Sequence, residues 1–151
     1  MNIRTYCETD EAAVAALWRQ AFAYTPPWNV PEEDITRKLA VQPELFFVAE
    51  FDGEVVGTAM AGYDGHRGWV YYVAVSPKHR RQGIGKALMR RVEQALAVIG
   101  CPKLNLQVRA GSHEAVAFYR RLGYDVEERV SMSKRLKGLS PEGDEREGRH
   151  V

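Results

Sequence analysis

Arg80, Arg81 and Lys86 flank two glycines, Gly83 and Gly85, just after an aromatic and β-branched run from Tyr71 to Val75. These residue types in this order suit the binding of a phosphate. The run itself has the composition of a strand, and Pro77 ends it because a proline cannot donate to a ladder. Gly83 and Gly85 let the backbone curl closely at the start of a helix. There, amide N–H groups without helical partners and the helix dipole favour an anion. The basic side chains add charge at the same point. A Gly-x-Gly after a strand is also compatible with a tight turn and nothing more, and the residues alone leave both readings open. The spacing does exclude two commoner phosphate sites: the chain has no Gly-x-Gly-x-x-Gly here and no Gly-Lys-Ser/Thr ending a glycine-rich loop.

Arg80-x-x-Gly83-x-Gly85, preceded by a strand and Ser76-Pro77, resembles the acyl-CoA pyrophosphate motif of the GNAT N-acetyltransferase superfamily. A second signature, Ala115-x-x-x-Tyr119-x-x-x-Gly123-Tyr124, follows another predicted strand, in the order found in that superfamily. The resemblance spans about residues 2 to 136. Two further segments, Gly62-Tyr63-Asp64-Gly65-His66-Arg67-Gly68 and Pro27-Trp28-Asn29, are similar to a bacterial subgroup labelled YpeA-like, a likeness that says little about substrate.

The resemblance implies acetyl-CoA as co-substrate, no metal, and direct attack of a primary amine on the thioester. Amides from Arg81 through Gln82, Gly83, Ile84 and Gly85 to Lys86 would surround the pyrophosphate, with Lys78, Arg80 or Arg81 balancing its charge. The pantetheine arm would slip between two parting parallel strands and pair with the backbone of Val73, Ala74 and Val75, an edge that can also polarise the carbonyl. Tyr119 matches the superfamily's acid tyrosine, and an unperturbed pKa near 10 makes it a proton donor at neutral pH. Its alternative is a core aromatic that only hydrogen-bonds the sulfur or backbone. Tyr124 is expected to pack against the arm. Ser112 stands where many relatives have an asparagine, and its hydroxyl is a shorter partner for the same arm.

The general base is open. Some relatives have a glutamate in the strand matching Tyr71 to Val75, and this strand has none. Asp64, His66, Glu50 and Tyr72 (the last through water) are the candidates, and a water chain needs no dedicated side chain. His66 has the right pKa class but is equally read as an exposed turn residue. Tyr24 and Trp28 fall where the superfamily lines one side of the acceptor site, and Tyr72 joins them as an acceptor contact. Both aromatics also read as anchors for a proline-rich loop. The acceptor is left open among a protein N-terminus or lysine, a polyamine, an amino acid and an aminoglycoside-like drug. Glu32, Glu33 and Asp34 suit a cationic acceptor and suit helix capping equally. A non-catalytic acyl-CoA binding or sensing module keeps the turn but needs no Tyr119; a nucleotide-binding structural domain explains only the glycines.

At 151 residues the chain is long enough for one domain with a proper core. An apolar fraction of 45% and a net charge of +1 give no electrostatic case for wrapping nucleic acid. Cys7 and Cys101 are too few and too distant in sequence for a disulfide framework, and read as buried or inert thiols. No secretory pattern or membrane-length apolar run occurs, so a cytoplasmic location is expected.

The elements that position these residues follow from periodicity. Asn2 to Cys7 reads as a strand. Thr9 or Asp10 caps a helix whose stripe is Val14, Leu17, Trp18, Ala21 and Phe22. Pro31 opens a second helix, with Ile35 and Leu39 packing beneath. Leu45 to Phe51, Asp52-Gly53 and Glu54 to Tyr63 form a hairpin, and Asp64 to Gly68 turns into Trp69 to Val75. Gly57 and Gly62 mark bends or close approaches. A helix from near Gly83 to Ile99 stops at Gly100, with Leu88, Val92, Ala95, Leu96 and Ile99 inward. Leu104 to Val108 alternates as a strand. Ser112 caps a short helix, and Tyr124 to Glu127 with Arg129 to Leu136 supply a last antiparallel pair. The fold class is α/β: a mixed sheet with an antiparallel N-terminal meander, splayed parallel central strands and flanking helices. Residues 1–136 form the catalytic domain and 137–151 a disordered tail. The last strands could support a homodimer.

Overall fold

Three strand-forming runs joined by short turns dictate a meander, and the chain builds one. The computed structural model describes residues 1–22 and 29–136. The expected tail and the loop carrying Tyr24 and Trp28 lie outside the described residues. Strands β1 (Asn2–Thr5), β2 (Phe46–Phe51), β3 (Glu54–Tyr63) and β4 (Gly68–Val75) pair antiparallel in order, and β5 (Leu104–Asn105) adds to β4 in parallel. Asp52 and Gly53 both take left-handed φ, +50° and +78°, the geometry that matches the twist of a two-residue hairpin.

Helices cover both faces of this sheet, which is why Phe46, Phe47, Val48 and Ala49 are all buried. Phe47 and Ala49 pack with Ile84, Leu88, Met89, Val92 and Leu96 of α3 (Ile84–Val98). Phe46 and Val48 pack with Val14, Leu17 and Trp18 of α1 (Glu11–Ala21) and Ile35 of α2 (Pro31–Leu39). A fourth helix, α4 (His113–Arg121), sets Phe118 and Tyr119 against the α3 side. Arg4 of β1 donates to both carboxylate oxygens of Asp10 at 2.8 and 2.9 Å and to Glu50 at 2.8 Å, fastening the first strand to the start of α1 and to β2. Those bonds hold the Asp10 carboxyl below the usual range.

Two bulges interrupt the meander. Ala49 faces Gly57 and Glu50 faces Val55, so Val56 is an extra residue in β3. A Cβ on Gly57 would lie 3.0 Å from Leu88 Cδ1, 3.1 Å from the Ala74 carbonyl oxygen and 3.1 Å from Ile84 Cγ2. Gly57 is therefore the close approach that its place in a strand suggests. Leu88 and Ile84 are buried and the third neighbour is sheet backbone, so none can yield freely. Gly57→Ala lowers unfolding stability by about 1–3 kcal/mol through overpacking. Urea denaturation monitored by tryptophan fluorescence measures it.

The structure corrects several element expectations. Leu39 is 36% exposed and Lys38, at 9%, is the residue of α2 turned inward beside Ile35. Ile99 is half-exposed because it caps α3 rather than lying on its face. Cys7 is exposed and Cys101 half-buried, both as free thiols. β5 is two residues long because its pairing with β4 ends at Trp69–Asn105, and Leu106 to Val108 run on without a ladder. Neither Tyr124 to Glu127 nor Arg129 to Leu136 forms a strand. That segment meets the β5 region through side chains, Lys103 to Glu127 at 2.7 Å and Gln107 to Ser131 at 2.6 Å, while Val130 and Met132 are each 88% exposed. Alternation without a ladder partner yields extended chain and no sheet. Among the described residues no helix is long and apolar enough to cross a membrane.

Candidate active site

The site begins where β4 loses its neighbour. Beyond Trp69, the β5-facing edge of β4 is unpaired among the described residues, so the two parallel strands part and leave backbone groups of Val73, Ala74 and Val75 at a slot. After β4, Pro77–His79 make one 3₁₀ turn, and Arg81 (φ +63°) and Gly83 (φ +79°) bend the chain into α3. The first helical amides to find a partner include Ala87, which donates to Gly83 O at 3.0 Å. Those of Ile84, Gly85 and Lys86 precede it and point out of the helix end. Among the described residues no ion pair engages Arg80, Arg81 or Lys86. The turn is thus a concave set of N–H donors with unspent positive charge around it.

α4 is brought to this turn by contact rather than by chain proximity. A Cβ on Gly85 would lie 3.1 Å from Phe118 Cζ, so the glycine lets α3 approach α4. Phe118 meets Tyr119 edge-on at 4.9 Å, and Tyr119 meets Tyr124 edge-on at 5.9 Å. Burial pushes the Tyr119 phenol up to about 12, so it holds its proton throughout the physiological range. Tyr124 is pushed up by burial and by donating to Glu93 at 2.5 Å. Ser112 precedes α4, half-buried, with its side chain making no cap hydrogen bond.

The residues of β4 also contribute to a cleft of about 780 Å³, lined by α2, β3, β4 and Arg109. Its wall is shaped by the second bulge. Thr58 faces Ala74 and Met60 faces Tyr71, so Ala59 alone opposes both Tyr72 and Val73. Tyr72 takes φ +53°, uncommon for a residue with a side chain. Three contacts hold it there. Thr58 Oγ1 donates to its carbonyl at 2.7 Å, Trp18 stacks on its ring at 3.7 Å, and its hydroxyl donates to Asp34. The bulge turns Tyr72 toward α1 and α2 and carries its hydroxyl into the cleft.

The sequence candidates scatter relative to this geometry. Tyr72 and Asp64 line the cleft. Asp64 Oδ1 accepts the amides of His66 and Arg67, both at 2.8 Å, which lowers its pKa. His66 sits exposed in the same turn, outside the lining, and Glu50 is held by Arg4 at the far edge of the sheet. Asp34, Lys38, Gln42, Trp69 and Arg109 also line the cleft. Of these the sequence singles out only Asp34, as a charge that suits a cationic acceptor and helix capping equally. One signal was available: Lys38 stands three residues after Ile35, on the face that Ile35 commits to the core.

The matched family model is described as the acetyltransferase (GNAT) family and covers residues 12–124. An acetyltransferase of Pectobacterium atrosepticum is 45% identical over 136 residues, covering 90% of this chain and 96% of the relative. Among solved structures, Ard1 from Thermoplasma volcanium superposes with a TM-score of 0.75 at 25% identity, over 83% of each chain. The ribosomal-protein-S18-alanine N-acetyltransferase of Escherichia coli superposes with a TM-score of 0.70 at 26% identity, over 94% of this chain and 86% of that one. The splayed strands, the glycine turn and these likenesses agree: the chain belongs to the acetyltransferase (GNAT) family.

Proposed function

We propose that the protein is an N-acetyltransferase that moves an acetyl group from acetyl-CoA to a primary amine by direct attack. The observation that carries this reading is that β4, unpaired on its β5 side beyond Trp69, links the donor-rich turn at its end to the cleft residues Tyr71 and Tyr72, while Tyr119 packs in the same cluster as Val73 and Val75. In this reading the amides of Gln82 to Lys86 hold the pyrophosphate and Arg80 or Arg81 offset its charge. Backbone groups of Val73 to Val75 bind the arm, with Ser112 and Tyr124 at its flank, and polarise the thioester carbonyl. Amine nitrogen forms the new bond to the acetyl carbon, the C–S bond breaks, and Tyr119 gives its proton to the departing thiolate.

Of the base candidates, Tyr72 alone lines the cleft with a hydrogen-bonded carboxylate, Asp34, behind its hydroxyl to relay a proton away from the amine. Asp64 is occupied by two amides, and Glu50 by Arg4.

Isothermal titration of acetyl-CoA tests the donor assignment. The wild type binds in about the micromolar range typical of enzyme substrates. In Gly83→Glu a carboxylate opposes the anion and the side chain must adopt a left-handed backbone, weakening binding about tenfold or more. Circular dichroism checks that the variant is folded. Folded wild type that takes up no acetyl-CoA overturns the donor, and binding without turnover on any amine favours the sensing module.

A further inference from the structure

The cleft offers a cationic acceptor few free carboxylates. Among the described residues its ionised lining is Arg37, Lys38 and Arg109 against Asp34 and Asp64. Both carboxylates are already engaged within the protein. Asp34 accepts from the Tyr72 hydroxyl on one oxygen and from Arg37 at 2.5 Å on the other, and Asp64 accepts two backbone amides. A polycationic acceptor would find little unspent negative charge there.

Lys38 is the unusual member. Its side chain is buried, and its ammonium donates to the Ala61 carbonyl oxygen at 2.5 Å. An ammonium has three donors, and among the described residues no carboxylate lies within ion-pair distance of this one. A buried charge held by one neutral acceptor is costly unless an anion joins it. The ammonium is reachable from the cleft, which Lys38, Gly62 and Gln42 all line; a Cβ on Gly62 would lie 3.7 Å from Lys38 Nζ, and Gln42 is fixed by two bonds to the Tyr63 backbone at 2.8 and 3.0 Å.

We infer that the acceptor is an α-amino carboxylate with an apolar side chain, its carboxylate held by Lys38 and its amine presented at the Tyr72 bulge. This rests on the N-acetyltransferase reading above. Ala61, which anchors Lys38, is two residues along β3 from Ala59, which opposes the bulge. The anchor of Lys38 and the partner of the bulge are thus about 7 Å apart along β3, within reach of one small acceptor. Tyr63, Trp69 and Tyr71 supply the apolar wall for its side chain.

The test compares L-phenylalanine, L-leucine and L-methionine with their carboxamides and with spermidine, following CoA release. At least one free amino acid is acetylated with kcat/KM about tenfold or more above its carboxamide and above spermidine, as expected for a charge-assisted contact. Lys38→Met abolishes the preference by raising KM for the acid. Saturation-transfer NMR reads binding of the amino acids themselves, without acetyl-CoA, and shows signal in the wild type that Lys38→Met loses. Spermidine or the carboxamides turned over as well as the acids overturn this inference while leaving the N-acetyltransferase reading intact. Turnover of none of the seven compounds, with no amino-acid binding by NMR, overturns it too. If amino acids bind and acetyl-CoA does not, the carboxylate site stands and the donor reading falls.

Discussion

Tyr119→Phe lowers kcat for acetyl transfer by about 10²-fold or more, the usual scale for a lost general acid. Acetyl-CoA affinity changes far less, because the ring that packs between Phe118 and Tyr124 is kept. The phenol's environment explains both the size of the effect and its pH signature. Burial raises its pKa to about 12, so the donor form is present below that value and is lost only as pH rises through it. The wild-type rate therefore shows no alkaline fall from Tyr119 between about pH 7 and 10, where an unshifted tyrosine would begin to titrate. Stopped-flow turnover across that range measures both quantities. A phenylalanine variant keeping half the wild-type kcat would reduce Tyr119 to a packing residue.

What a local stretch of sequence could disclose, it did disclose. The glycine turn needs left-handed backbone and a helix start within a few residues, and Gly83, Gly85 and Pro77 announce those needs directly. The β2–β3 hairpin is equally local, since Asp52-Gly53 selects its own turn. The cleft is different, because its shape comes from a mismatch between strands. Nothing in Tyr71 to Val75 says that Tyr72 will sit at φ +53°. That follows from Ala59 opposing two residues, a fact about register with β3. Lys38 was hidden by a different ambiguity. With only Ile35 to set the phase of α2, the inward face fits Leu39 or Lys38, and hydrophobicity favours the wrong one. The expected pair of Tyr124 to Glu127 with Arg129 to Leu136 also fails to form, because residue composition alone does not supply the ladder partner that a strand requires.

Thr58→Val tests how firmly that bulge is built. The substitution keeps shape and removes one hydroxyl, which is not a neutral exchange in a core. Thr58 is completely buried, and its Oγ1 serves two partners: it accepts from Trp18 Nε1 at 2.8 Å and donates to the Tyr72 carbonyl at 2.7 Å. Valine strands an indole N–H and a backbone carbonyl together. Each unsatisfied buried group costs about 1–3 kcal/mol, so unfolding stability falls by about 2–4 kcal/mol after partial relaxation. The same loss reaches the active site. A left-handed φ at a residue with a side chain costs about 1–3 kcal/mol and persists only while its surroundings hold it. With its carbonyl released, Tyr72 can relax toward an ordinary ladder, moving its hydroxyl away from Asp34 and out of the cleft. Activity should therefore fall under conditions where the variant is still fully folded, and Thr58→Ser, which restores the hydroxyl, should recover most of both losses. Urea denaturation paired with turnover at low temperature separates the two effects. A stability loss below about 1 kcal/mol would mean that water or a shifted backbone satisfies both groups, and that the stack on Trp18 is enough to hold Tyr72 in place.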